Sequence, residues 1–403
     1  MRVALVHDYI KEYGGAERVL EALHEIWPDA PVYTSVYLPQ FLGPHKERFE
    51  KWNIKTSFLQ FLPFKEKLIS PFRIIAPLIF KSFNLSDFDA VIVSATGAYS
   101  PNGKWKMENG KSPIHICYCH TPPRYLYGFA TAREWKSNWG FRILGELANH
   151  FLRLIDFKSA QNVDYFIANS KNVKERIKKF YRKDSVVIYP PIDIAFSRLG
   201  HSVELKEKKL NADFLDAKRY YLAGGRIARP KNIDLIIKTF EKNKLPLKVF
   251  GRSFGGLKLD ETRNKKQGTK IEFLGEVSDE EKFELMKNAR AFIFASEDED
   301  FGITPVEAMA VGTPVIAYRS GGVLESILDP SMDSAKSPQA GSGRHATGLF
   351  FDELSVESLS KAIRKFEKTK FDPQDSIDRA QTFSKGGFKK EIKNFVEKVY
   401  GDS

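Results

Sequence analysis

Residues 296–317 read SEDEDFGITPVEAMAVGTPVIA, and the fold is decided here. A strand-like apolar run, Ala291-Phe292-Ile293-Phe294-Ala295, leads in. A helix-like run, Val306-Glu307-Ala308-Met309-Ala310, lies in the middle, and a second strand-like run, Thr313-Pro314-Val315-Ile316-Ala317, closes the stretch. This is a strand–loop–helix–strand unit carrying two glutamates, Glu299 and Glu307, eight positions apart. Open α/β sheets bind ligands outside the carboxyl ends of their strands. Gly302 allows the backbone to come close to a ligand. Pro305 suits a first helical turn, where its missing N–H costs nothing. The N–H groups of Ile303 and Thr304 then face the helix N-terminus, where an anion is favoured. Glu307 is placed to reach a ribose diol and Glu299 a sugar hydroxyl. The spacing alone equally allows both to be solvated or to compensate the helix dipole.

Outward from this unit, strand-like and helix-like segments alternate along the whole chain. Residues 2–7, 90–94, 115–119, 165–168 and 186–189 form one set of strand patterns. Residues 220–223, 247–250, 271–274, 291–294 and 315–317 form a second. Helical patterns lie between them, for example at 17–26, 171–180, 233–241 and 279–287. Such alternation predicts parallel sheets covered by helices on both faces, hence an α/β fold of two Rossmann-like, doubly wound domains. Pro190-Pro191 directly after a strand pattern makes a stiff exit and marks a boundary. The expected domains are 1–195 and 196–385, with an amphipathic helix in the remainder, 386–403. Residues 329–343, rich in Ser, Ala, Pro and Gly, read as a mobile insertion with no chemistry assigned.

The chain has 403 residues, 42% of them hydrophobic, enough for sizeable cores and inconsistent with disorder. No apolar run approaches the length of a bilayer span, and Met1-Arg2-Val3-Ala4-Leu5-Val6-His7-Asp8 is too soon charged for a signal peptide. Cys117 and Cys119 lie in one strand pattern and are expected to face opposite ways; they fit no metal spacing and no disulfide framework. Reduced thiols in a cytoplasmic protein are expected. The net charge of +12 is uneven: residues 1–200 hold 28 Lys and Arg against 19 Asp and Glu, the remainder 35 against 32. A basic first half favours anionic partners. No nucleic-acid motif accompanies the charge, which ranks nucleic acid well below anionic lipid and a phosphorylated substrate. Residues 52–83 interleave aromatics with Lys55, Lys65, Lys67, Arg73 and Lys81. This is either a surface that meets lipid or a lipid-linked acceptor, or helical core with a solvated basic rim.

Several loops at strand ends carry candidate chemistry. Tyr221-Leu222-Ala223-Gly224-Gly225-Arg226-Ile227-Ala228-Arg229-Pro230-Lys231-Asn232 leaves a strand and enters a helix, and Arg226 and Lys231 can converge on one diphosphate across it. Tyr13-Gly14-Gly15-Ala16-Glu17 follows the first strand. A dehydrogenase of Rossmann type would need G-x-G-x-x-G there, which Gly14-Gly15 does not supply. Cys119-His120-Thr121-Pro122-Pro123-Arg124-Tyr125 puts a histidine at a strand end; His7 and His115, inside strand patterns, are read as structural. Ser170 in Ile167-Ala168-Asn169-Ser170-Lys171 is either a site residue or the N-cap of the next helix.

Taken in order, these pieces resemble the retaining GT-B glycosyltransferases of family 4, whose E-x7-E signature matches Glu299 and Glu307. The variant from Glu299 to Ala310 looks most like members that transfer mannose from GDP-mannose in bacterial surface polysaccharide synthesis. The resemblance implies a GT-B architecture, with two Rossmann-like domains facing a central cleft and a last helix crossing back to the first domain. It implies that Glu307 binds the nucleotide ribose and that Glu299 lies by the donor sugar. Arg226 and Lys231 would bind the donor diphosphate and stabilise charge on the leaving nucleotide. His120 would contact the donor hexose. Gly15 would offer its N–H to the donor, while Val277, Phe301, Gly302, Ile303 and Thr304 complete the donor site. Val277 lies in Leu274-Gly275-Glu276-Val277-Ser278, which is similar to the segment that reads the base, and Phe250-Gly251-Arg252-Ser253 would also face the donor. Ser320-Gly321-Gly322, before Glu325, would be a tight turn packing the loop. Gly14, Arg124 and Tyr125 would meet the acceptor.

The expectation is therefore an enzyme with no cofactor and no metal, using a nucleotide sugar, GDP-mannose foremost, and a glycan or polyprenyl-linked oligosaccharide acceptor. It would be cytoplasmic, with peripheral membrane contact through its basic first domain. Donor binding would bring the two domains together. A UDP-sugar or GDP-fucose donor is the nearest alternative. A non-catalytic binder of anionic lipid or nucleic acid is the distant one.

Overall fold

The computed structural model describes residues 1–105, 112–131, 139–193, 220–254, 270–331 and 346–402. The charged segment 201–218 and most of the 329–343 insertion lie outside the described residues. The chain forms two compact units. The first contains Met1–Phe129, Trp135–Pro191 and Lys385–Ser403; the second contains Ala130–Glu134 and Ile192–Ser384.

The first unit is built on seven strands, β1 (Val3–His7), β2 (Val32–Thr34), β3 (Ile54–Thr56), β4 (Ala90–Ala95), β5 (Ile114–Cys119), β6 (Tyr165–Ala168) and β7 (Ser185–Val187). They pair in parallel in the order β3-β2-β1-β4-β5-β6-β7. Helices α1 (Gly15–Ile26), α2 (Lys65–Leu68), α3 (Ala76–Lys81), α4 (Trp139–Gln161) and α5 (Lys171–Tyr181) belong to this unit. The order reverses at β1, so the loops after β1 and β4 diverge and leave a crevice at their carboxyl ends. Alternate residues feed two cores. Ala4, Val6, Val91, Val93 and Ala168 enter one, and Val3, Leu5, Ala90, Ile92 and Ile167 enter the other. Cys117 and Cys119 correct the expectation stated above: residues two apart on a strand share a face. Both thiols are buried in the first core, and Tyr118 between them enters the second.

The second unit has six parallel strands, β8 (Tyr221–Gly224), β9 (Leu247–Phe250), β10 (Ile271–Gly275), β11 (Phe292–Phe294), β12 (Val315–Tyr318) and β13 (Gly348–Phe351). Their order, β10-β9-β8-β11-β12-β13, repeats the reversal, here at β8. Its helices are α6 (Ile233–Asn243), α7 (Asp279–Lys287), α8 (Ile303–Ala310), α9 (Val323–Ser326), α10 (Val356–Phe366) and α11 (Pro373–Gln381). The chain then returns to the first unit as α12 (Lys385–Gly401). Phe388, Ile392, Val396 and Val399 of α12 complete the second core of that unit, and Lys385 and Lys389 both ion-pair with Glu25 on α1.

Asp156 on α4 is buried in the first unit, where its carboxylate accepts hydrogen bonds from Ser100 Oγ (2.6 Å) and Tyr127 OH (2.9 Å). Burial pushes its pKa up to about 6, against the pull of these hydroxyls and of Tyr181. The native state thus holds a proton that the unfolded chain, with an ordinary carboxyl, releases near pH 4. The associated stability is fully present below pH 4 and is lost as pH rises through 6. Denaturant unfolding of wild type and Asp156→Asn between pH 4 and 7 checks this. The wild type is expected to lose roughly 2–3 kcal/mol relative to the variant as pH rises.

Candidate active site

In the second unit the quoted stretch forms the predicted strand, loop and helix. Gly302 is the N-cap of α8 with φ +90°, a left-handed conformation that glycine adopts without strain. No side chain caps the helix, so the N–H groups of its first turn, from Ile303 and Thr304 onward, present the positive end of α8 to a ligand. Pro305 lies in that first turn. A Cβ placed on Gly225 would come within 3.5 Å of Thr304 Oγ1, so the Gly224-Gly225 turn after β8 lies beside the same helix end.

Glu299 is held from two sides. Its Oε2 accepts a hydrogen bond from Ser296 Oγ (2.5 Å) and pairs with Lys231 Nζ (2.5 Å). Lys231 stands on the short turn Arg229–Lys231 and also lies 4.8 Å above the Phe294 ring. That turn is tied to the Glu299 loop through the backbone: Glu297 N donates to Pro230 O (2.8 Å) and Asn232 Nδ2 to Ala295 O (3.0 Å). Gly321 and Gly322 press on the other side. Gly322 N donates to Glu299 O (2.8 Å), and a Cβ on Gly322 would stand 2.1 Å from Asp300 O. The Ser320-Gly321-Gly322 segment is therefore a packing turn against the acid loop.

Glu307, 3% exposed, pairs through Oε1 with Lys282 Nζ at 2.9 Å. Lys282 is itself buried on α7 and reaches Asp279 at 2.8 Å. Sequence reading missed Lys282. The sequence places Lys282 only within the helical pattern 279–287, and nothing local shows that this lysine turns inward. Val277 lies just before Ser278, the N-cap of α7. Arg226 is exposed, with its guanidinium over the Phe254 ring at 4.8 Å, while Lys231 is paired with Glu299. The Phe301 ring is buried against Phe383 (centroids 5.2 Å), which leaves its backbone for a ligand.

In the first unit, groups at the carboxyl ends of β1, β4 and β5 converge. His7 Nδ1 lies 3.1 Å from Ser94 Oγ, and Ser94 Oγ lies 2.9 Å from His120 Nε2. Burial, with His7 alongside, lowers the His120 pKa to about 3, so the ring is neutral at pH 7. Asp8 Oδ2 accepts from Thr96 Oγ1 (2.5 Å) and from the N–H groups of Thr96, Ala98 and Tyr99 (3.2 Å each), which shapes the loop after β4. Gly14 is the N-cap of α1 and Gly15 its first residue; Gly14 N donates to Glu17 Oε2 (2.8 Å). Arg124 and Tyr125 lie in the turn after Pro123. The guanidinium of Arg73 covers the Tyr125 ring at 4.4 Å. Ser170 caps α5, accepting from Val173 N at 3.1 Å, which supports its structural reading. Among the described residues no group of three metal-ligating side chains occurs.

Two family models match the chain. One, described as Glycosyltransferase Family 4, matches residues 13–196. The other, described as Glycosyl transferases group 1, matches residues 206–383. The alpha-1,3/1,6-mannosyltransferase ALG2 of Dictyostelium discoideum is 26% identical over 64% of this chain and 65% of its own length. ALG2 of Saccharomyces cerevisiae is 23% identical over 70% of this chain and 61% of its own. The chain thus spans less than two thirds of these curated relatives. Among solved structures, sucrose-phosphate synthase from Thermosynechococcus elongatus superposes with a TM-score of 0.68 at 15% identity, covering 100% of both chains. Anabaena HepE, in complex with UDP and glucose, gives 0.64 at 16% identity over 98% of this chain and 99% of its own. This likeness is one of fold.

The packing of Gly322 predicts that Gly322→Ala loses roughly 1–3 kcal/mol in denaturant unfolding, because its methyl group meets fixed backbone. Gly386→Ala, on α12 with nothing within 4 Å, is the control and is expected to be neutral or to stabilise by up to about 1 kcal/mol.

Proposed function

We propose, from the premise that this chain belongs to the glycosyltransferases of family 4 and has the GT-B fold, that it transfers mannose from GDP-mannose to a hydroxyl of a glycan or lipid-linked glycan, with retention at the anomeric carbon. The observation that carries the reading is the Glu299–Lys231 pair beside the uncapped N-terminus of α8, with Glu307 farther along the same helix. The mannose assignment is supported by the ALG2 relatives and by the Glu299-Asp300-Phe301-Gly302-Ile303 variant.

In this reading the donor diphosphate takes the place at the helix N-terminus, with Arg226 and Lys231 as its cations. An arriving diphosphate competes for Lys231, and Glu299, relieved of its partner, accepts a hydrogen bond from a donor-sugar hydroxyl. Glu307, steadied by Lys282, receives the ribose diol. The acceptor oxygen bonds to the anomeric carbon on the face from which the nucleotide leaves. The bond from that carbon to phosphate oxygen breaks, and the acceptor proton passes to the departing diphosphate. Charge growing on that group is met by Arg226, Lys231 and the helix dipole, preorganised donors of the kind that dominate such catalysis.

A lipid-linked acceptor is supported by the surface of the first unit. Phe58, Phe61, Phe64, Ile74 and Leu78 are exposed there, in a segment that also carries Lys65, Lys67 and Lys81. On α4, Ile143, Leu147, Phe151 and Leu154 are exposed at helical spacing. Apolar side chains rimmed by cations suit the boundary of an anionic bilayer. No described helix is long and apolar enough to cross a membrane. The reading is of peripheral contact on the cytoplasmic face.

Calorimetric titration with GDP and with UDP tests the donor. GDP is expected to bind more tightly, and Lys231→Ala to weaken it by about 10- to 100-fold, the worth of one charge-assisted hydrogen bond. A preference for UDP would replace mannose with another sugar. In a transfer assay with GDP-mannose, Glu299→Gln is expected to lower kcat by about 10²-fold or more while the thermal transition is retained.

A further inference from the structure

Four buried side chains of the first unit form one line. Glu17 Oε1 stands 3.6 Å from His7 Nε2, His7 Nδ1 stands 3.1 Å from Ser94 Oγ, and Ser94 Oγ stands 2.9 Å from His120 Nε2. Glu17 is at 5% exposure and His120 at 9%, and His7 and Ser94 are fully buried, so water does not interrupt the line. Nothing in the mechanism above uses Glu17, His7 or Ser94.

The order of donors along the line is constrained. The Ser94 hydroxyl has one proton and lies between two ring nitrogens, so it donates to one ring and accepts from the other. With His7 neutral and its proton on Nδ1, Ser94 would donate to His120 Nε2, and His7 Nε2 would turn a lone pair toward the Glu17 carboxylate, lone pair against anion; a His7 protonated on both nitrogens would also send the Ser94 proton to His120, so the order is fixed for the neutral ring. The reverse order has no such conflict. His7 carries its proton on Nε2, which faces Glu17 Oε1 across 3.6 Å as an electrostatic contact longer than a hydrogen bond, Ser94 donates to His7 Nδ1, and His120 Nε2–H donates to Ser94. The other oxygen of Glu17 is already engaged with Gly14 N (2.8 Å), which fixes the carboxylate that sets the order.

We infer that Glu17, His7 and Ser94 are positioning residues that hold His120 as its Nε2–H tautomer, leaving the lone pair on Nδ1 as its acceptor for a hydroxyl of the donor sugar. The role of the sugar rests on the glycosyltransferase reading; the tautomer does not. The neutral state of His120 fits, since an imidazolium has no lone pair to offer. The line also begins at the Gly14 N–H, so the Gly-Gly loop and His120 are set by one network.

The test is a long-range proton–nitrogen correlation spectrum of the full chain labelled at its 8 histidines, with His120 assigned by His120→Gln. The expected wild-type signal is a neutral His120 protonated on Nε2. Glu17→Gln is isosteric and can donate from its amide to His7, so it is expected to move His120 toward the Nδ1–H form. Ser94→Ala is expected to give a mixture of tautomers and a fall in kcat/KM of about tenfold, the worth of one hydrogen bond. A wild-type ring protonated on Nδ1, or a tautomer unmoved by both substitutions, overturns the proposal. Adding GDP-mannose separates the two layers: a shifted Nδ1 signal supports the sugar contact, and an unmoved one overturns that contact while the relay stands.

Discussion

A carboxylate taken out of water has to be met by cations or N–H and O–H donors, and the loops of this chain are arranged by that requirement. Asp8 draws the backbone after β4 around its Oδ2. Glu17 holds the Gly14 turn, Glu299 the turn carrying Lys231, and Glu307 the buried Lys282 of α7. The parallel sheets bring these loops to the carboxyl ends of their strands, and the acids then give each loop its shape. Removing one acid would release a loop as well as a charge.

The two acids of the signature are held differently. Glu307 and Lys282 are both buried, and a pair of that kind loses much if one partner goes, because the other charge is stranded. Glu299 and Lys231 are partly open to water, with side chains 16% and 26% exposed, so their attraction is weaker and a competing anion can exchange with it. The inner acid is thus fixed, while the outer one is available for a change of partner during a reaction cycle.

How much of this was legible in the sequence varied with how local the cause is. Strands with four or more apolar residues, such as β1, β4 and β6, are plain, as are helices with a clear face. β2 and β3 have three residues each, too few to establish a period, and were not anticipated. Helix α4 was not among the patterns named, and its stripe is reversed: Ile143, Leu147, Phe151 and Leu154 are exposed while Asn149, Asp156 and Ser159 are buried. Within the site, Glu299, Lys231 and the Gly302 turn were readable because strand, turn and helix are contiguous around them. Lys282 meets Glu307 across 25 positions, and Ser94 meets His7 across 87. No local pattern encodes such meetings. The cysteines failed for a simpler reason: the pleat period is two, and it puts residues 117 and 119 side by side.

The return of α12 to the first unit carries a consequence for how the protein is made. Phe388, Ile392, Val396 and Val399 fill a core whose other walls, around Leu5, Leu20 and Ile92, are synthesised hundreds of residues earlier. Domains ordinarily fold in turn as they leave the ribosome. Here the first unit must wait, with an apolar seam open, until the second has been translated and the last helix emerges to seal it.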